Sequence, residues 1–77
     1  MNNYPKKNSM KITVEINGES FNCTNEMPLS FLLEYLDFNT SMIIVEYNST
    51  ILHKEAIDSV RLNNKDKLEI ITIVGGG

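Results

Sequence analysis

The stretch MKITVEINGESFNCTNEMPLSFLLEYLDFN, residues 10–39, holds two different periodicities back to back. Its first part alternates, with Met10, Ile12, Val14 and Ile16 on one side and Lys11, Thr13, Glu15 and Asn17 on the other. That period of two is the mark of a strand with one buried face. Asn17-Gly18 follows, a pair that tolerates positive φ and signals a tight hairpin, so the return strand should carry Phe21 and Cys23 inward. Then the period changes. Leu29, Leu32, Leu33 and Leu36 fall at i, i+3, i+4 and i+7, one face of a helix, and Pro28 suits its first turn, where a missing N–H costs nothing. Phe31, Tyr35 and Phe38 make a second apolar stripe, which we expect to widen the helix's contact with the core.

Downstream of this hairpin and helix the chain reads as strands again. SMIIVEY, residues 41–47, is dense enough in apolar residues for a central strand, and Asn48-Ser49 turns it into a short strand, TILHK. Residues 55–61 carry weak order signals, enough for one helical turn. Asn63 to Asp66 is a polar turn, and Lys67 to Val74 is the last strand. The order is ββ-α-ββ-β. No βα unit repeats, so a doubly wound sheet is excluded. The expected fold is α+β: a mixed sheet of four to five strands with one helix packed across one face. The β-grasp fold has this arrangement, with its first and last strands adjacent and parallel. Residues 1–9, polar and without a period, are expected to be a flexible arm, residues 10–74 the domain, and residues 75–77 a mobile tail.

Composition narrows the function classes. Seventy-seven residues, 42% of them apolar, with a net charge of −3, describe one small folded domain. Mild acidity argues against nucleic acid or an anionic membrane as partner, since phosphate binding needs a basic patch. No leader-like or membrane-spanning run stands out, and Cys23 is the sole cysteine, so a cytoplasmic setting without disulfides is expected. Cys23 reads as a small buried hydrophobe. With one Cys and one His, His53, no metal site is expected, and His53 lacks the neighbours of a catalytic residue. The three Asn-x-Ser/Thr matches, at Asn22, Asn39 and Asn48, are then chance matches.

The last strand divides by face. Leu68 and Ile70 should meet the helix, with Thr72 on the same side, while Ile71 and Ile73 point to the other face, where a single-layer sheet meets water. Two exposed isoleucines beside a free end suggest a docking spot for another protein. Gly75, Gly76 and Gly77 follow. Without side chains they could pass through a narrow channel and adopt backbone angles closed to other residues. The terminal carboxylate is sterically bare. Joined to AMP, it would become a mixed anhydride open to a sulfur or nitrogen nucleophile.

With these residues in view, the chain resembles the ThiS family of thiamine-pathway sulfur carriers. IVEYNSTILHKEAIDSVRLNNKDKLEIITIVGGG, residues 44–77, is similar to the C-terminal half of that family, which closes a final strand on Val-Gly-Gly. KITVEINGES resembles its opening hairpin and PLSFLLEYL its helix, so the likeness runs over about residues 10–77. Two positions depart from the family pattern: Ile57 stands where Trp is common, and the turn reads Asn64-Lys65-Asp66. The resemblance implies a protein co-substrate, not an enzyme, with no bound cofactor. A ThiF-like enzyme would consume ATP and Mg²⁺ to adenylate Gly77. A cysteine desulfurase system would supply the sulfur that converts it to a thiocarboxylate, and thiazole synthase would take that sulfur. Gly75 and Gly76 would give reach, Ile71 and Ile73 would dock, and Glu69 would meet basic groups on the activating enzyme. The alternatives are a MoaD-like carrier for molybdopterin synthase, which more often has Pro before its glycines, a ubiquitin-like modifier, and a TGS-like interaction module.

Overall fold

The computed structural model describes residues 10–73; the expected arm over residues 1–9 and the tail over residues 75–77 lie outside them. Strands β1 (Lys11–Ile16) and β2 (Glu19–Thr24) form the hairpin, closed by Asn17 and Gly18 at φ 50° and 86°. Both central residues at positive φ make the turn whose twist matches that of paired strands. Helix α1 (Leu29–Tyr35) follows, then a 3₁₀ turn (Thr40–Met42), strands β3 (Ile43–Tyr47) and β4 (Thr50–Leu52), the short helix α2 (Lys54–Ile57) and strand β5 (Lys67–Thr72). The β3–β4 connection repeats the hairpin device, with Asn48 and Ser49 both at positive φ.

The five strands make one sheet in the order β2-β1-β5-β3-β4. β1 and β5 are parallel neighbours in the middle, and the other pairs are antiparallel. A parallel pair needs a crossover, and α1 lies within the chain that supplies it. Ile12, Val14 and Ile16 of β1, Ile43 and Val45 of β3, and Leu68 and Ile70 of β5 share one core with Leu29, Leu32 and Leu33 of α1. Leu29 and Leu33 have no exposed surface, and burying each contributes about 1.5–3 kcal/mol. Leu62, equally enclosed, pins the loop before β5 beneath the start of α1. There the Leu29 N–H donates to the Val60 carbonyl at 3.0 Å and the Leu62 N–H to the Met27 carbonyl at 2.9 Å.

Four sequence expectations need correction. Phe31 and Tyr35 do not widen the core contact: they are 57% and 80% exposed, and of that stripe only Phe38 packs against the core. At 100° per residue they stand roughly 110–150° from the centre of the leucine face. Pro28 sits one place before the first turn, as the N-cap, with ψ 136°. Met10 is exposed because β1 begins one residue later. The strand expected over residues 50–54 ends at Leu52, and Lys54 already belongs to α2.

Candidate functional site

β5 is the strand from which the glycine tail departs, and its alternation assigns every residue a direction. Leu68 and Ile70 are buried under the helix, while Lys67, Glu69, Ile71 and Ile73 are exposed. Ile71 is 57% exposed and Ile73 44%. The isoleucines expected on the outer face are therefore there. Register adds what the sequence alone did not supply. Ile44 of β3 lies directly opposite Ile71, and Met42 lies opposite Ile73, whose N–H donates to the Met42 carbonyl at 2.7 Å. Ile44 and Met42 are themselves exposed, so four large apolar side chains share one outer patch around the end of β5. Ile51, on β4, is exposed opposite Glu46.

Next to this patch the pattern becomes acidic. Glu69 and Glu46 face one another across β5 and β3. Like charges in directly opposed positions repel and cost the free sheet a fraction of a kcal/mol, on the order of 0.2–1 kcal/mol. Toward β1 the outer face turns polar, with Lys11, Thr13 and Glu15. Thr13 is held there by two side chains: its hydroxyl donates to Asn22 Oδ1 at 3.0 Å, and its N–H to Asn64 Oδ1 at 2.9 Å. The outer face is thus divided, apolar and acidic over β5, β3 and β4, polar over β1 and β2. Of this surface, sequence reasoning found Ile71, Ile73 and Glu69 but missed Met42, Ile44, Glu46 and Ile51. Alternation within SMIIVEY already puts Ile44 and Glu46 on one side, but only the β3–β5 register reveals which side of β5 they join.

The other end of β5 is fastened by a buried carboxylate. Asp66 accepts from the Tyr47 hydroxyl at 2.6 Å, Asn48 Nδ2 at 3.1 Å and the Asn63 N–H at 2.7 Å. Burial, then the Asp66 carboxylate that its hydroxyl faces, pushes the Tyr47 phenol up to about 12. Cys23 is buried, and burial, with a smaller push from Asp66, raises its thiol above the ordinary range. A thiol shielded in this way is disfavoured as a thiolate, so its role is packing. His53 is an exposed residue at the N-cap of α2. Among the described residues no three of His, Cys, Asp and Glu come together as donors for a metal, and no helix is long and apolar enough to cross a membrane.

On the helix side an open trough of about 650 Å³ runs between α1 and α2. Phe31, Glu34, Lys54 and Asp58 line its walls, a mixture with no convergent set of catalytic groups. Gly75, Gly76 and Gly77, singled out from the sequence, lie outside the described residues.

Comparison with known proteins agrees with this architecture. A crystal structure of the thiamine biosynthesis protein ThiS from Geobacter metallireducens matches with a TM-score of 0.73, at 25% identity, over 86% of this chain and 100% of that one. The ycf40 protein of Porphyra purpurea is 54% identical over 66 residues, which span 86% of this chain and 93% of its own. Thiazole synthase of Paramagnetospirillum magneticum is 39% identical over 62 residues, 80% of this chain but only 19% of that protein. The ThiS family model matches residues 4–77, and with that match the chain belongs to the ThiS family.

Proposed function

We propose that this chain is a sulfur carrier of thiamine biosynthesis, a co-substrate that other enzymes act on. The observation that carries the reading is the family match extending through Gly77, on a strand whose outer face holds Ile71 and Ile73 in the open. In this scheme a ThiF-like enzyme binds the outer patch and draws the tail into its site. The Gly77 carboxylate attacks the α-phosphate of Mg²⁺-bound ATP, releasing pyrophosphate and forming an acyl-adenylate. Persulfide sulfur supplied by a cysteine desulfurase system then displaces AMP to form an acyl disulfide, and a thiol cleaves its S–S bond by exchange, leaving a Gly77 thiocarboxylate and a new disulfide. Thiazole synthase consumes that sulfur in building the thiazole ring.

Each part of the chain has a role here. Gly75 and Gly76 give slenderness and backbone freedom. Ile71 and Ile73, with Met42 and Ile44 beside them, give an apolar footing of the kind that marks protein interaction sites. Glu69 and Glu46 offer a basic group on the enzyme a relief of their mutual repulsion. The likeness of this chain to part of a thiazole synthase favours the thiamine pathway over a molybdopterin one. ATP and Mg²⁺ belong to the activating partner, and the carrier holds no cofactor of its own.

The test is intact mass after incubation with a ThiF-like enzyme, MgATP, a cysteine desulfurase and cysteine. Exchange of one oxygen for sulfur at the C-terminus is expected, and its loss when Gly76 and Gly77 are deleted. A chain that is never modified, or a truncated one that still delivers sulfur, would overturn the proposal.

A further inference from the structure

The Asn17-Gly18 turn does more than close a hairpin. Backbone pairing of β1 with β5 stops at Ile16 opposite Leu68, with the Asn17 N–H still donating to the Leu68 carbonyl at 2.9 Å. One rung further along β5 the Asn17 side chain stands in for a strand. Its Oδ1 accepts from the Ile70 N–H at 2.7 Å, and its Nδ2 donates to the Ile70 carbonyl at 3.2 Å. An N–H can only donate, so the Ile70 amide fixes which end of the side chain is oxygen. Asn17 thus turns the chain with its backbone and latches β5 with its side chain.

The next residue is chemically open. Gly18 is exposed at φ 86°, nothing lies within 4 Å of where a Cβ would stand, and its N–H makes no backbone hydrogen bond among the described residues. Attack of that nitrogen on Asn17 Cγ would close a five-membered ring, and with no Cβ at Gly18 nothing crowds the approach. The nucleophile is therefore free while the electrophile is held by Ile70. Asn48-Ser49 gives a contrast within the same chain. It repeats the turn at φ 49° and 74°, and its amide is held by the Lys67 N–H and by Asp66, but the Ser49 nitrogen is flanked by a Cβ.

We propose that Asn17 is a site of spontaneous covalent modification, deamidation through a succinimide, which the latch on Ile70 restrains while the sheet is closed. Base removes the Gly18 amide proton, the N–Cγ bond forms, the Cγ–Nδ2 bond breaks, and ammonia leaves. Water then opens the ring at either carbonyl, giving aspartate or isoaspartate. Aspartate places a carboxylate oxygen where Nδ2 had donated, so one bond to β5 is lost and a negative charge faces the Ile70 carbonyl. Isoaspartate lengthens the chain by one atom within the two-residue turn and disturbs the pairing of Ile16 with Glu19. Either product releases β5 at Ile70. The proposal is independent of the carrier reading, since it uses only the hairpin, the latch and water.

The test incubates the full chain at mildly alkaline pH, folded and in guanidinium chloride. Peptide masses follow the exchange of NH for O, and an isoaspartyl methyltransferase labels the isoaspartate. In the denatured chain Asn17 should convert ahead of Asn48, and Gly18→Ala should slow it there, where backbone strain plays no part. In the folded chain conversion should be about tenfold slower or more, because both bonds to Ile70 must open first. Sub-denaturing guanidinium chloride should raise the folded rate by favouring that opening. The converted chain should show faster amide exchange at Ile70 and a lower urea midpoint, as should Asn17→Asp. Equal rates in folded and denatured chains would overturn the latch. A denatured chain in which Asn17 outlasts Asn48 would overturn the site, and unchanged Ile70 exchange after conversion would overturn the release of β5.

Discussion

Asp66 gathers the Tyr47 hydroxyl, the Asn48 amide and the Asn63 N–H around one buried carboxylate. Asn48 in turn accepts the Lys67 N–H at 2.8 Å, so a handful of polar atoms joins the β3–β4 turn to the entry of β5. Removing the carboxylate strands several donors, and Asp66→Ala should cost about 2–3 kcal/mol, measured as a lower urea midpoint. Tyr47 supplies a pH signature. Burial and the facing Asp66 push its phenol up to about 12, above its ordinary 10, so the neutral form is the one the fold favours. The stabilisation is complete below the unfolded value and is lost as pH rises through the folded one. Stability should therefore decline between pH 10 and 12, and Tyr47→Phe should flatten that decline; urea titrations across the alkaline range check it. None of this was legible in Asn63-Asn64-Lys65-Asp66, which reads simply as a polar turn. A turn's sequence states that the chain reverses, not that one of its carboxylates is roofed over by a distant tyrosine.

At the scale of elements, what could be read was what local periodicity carries. The alternation of β1, the Asn17-Gly18 hairpin, the leucine face of α1 and the buried side of β5 all emerged from spacing. What escaped depends on neighbours. The stripe of Phe31 and Tyr35 was given to the core because it is apolar, yet a helix of seven residues over a small sheet has only one face to bury. Truncations should separate the two faces of α1. Leu33→Ala should destabilise by about 2–5 kcal/mol, while Tyr35→Ala should shift the thermal midpoint hardly at all. The β3–β5 pairing likewise turned two isoleucines into a larger patch. Ile44→Asp should weaken the complex with a ThiF-like enzyme as strongly as Ile71→Asp, roughly tenfold or more by titration calorimetry, with folding retained. Variants that bind as tightly as the parent chain would detach the patch from docking.

For the molecule as a whole, the sheet order β2-β1-β5-β3-β4 separates two tasks. One face is spent on a core shared with α1, and the other is left to the surface. Deleting Gly76 and Gly77 should leave the melting transition of the domain unchanged while abolishing sulfur transfer, since among the described residues no core residue lies past Ile70. The parallel pairing of β1 with β5 has a practical outcome as well. Two strands running the same way, staggered so that Glu15 lies opposite Lys67, admit the chain at Lys11 and discharge it past Thr72 at the opposite rim, about 30 Å away. A handle attached ahead of residue 10 would therefore hang from the far rim. Tethered to a solid support through that handle, the domain would hold its outlet toward the solution, ready for capture of whatever enzymes work on it.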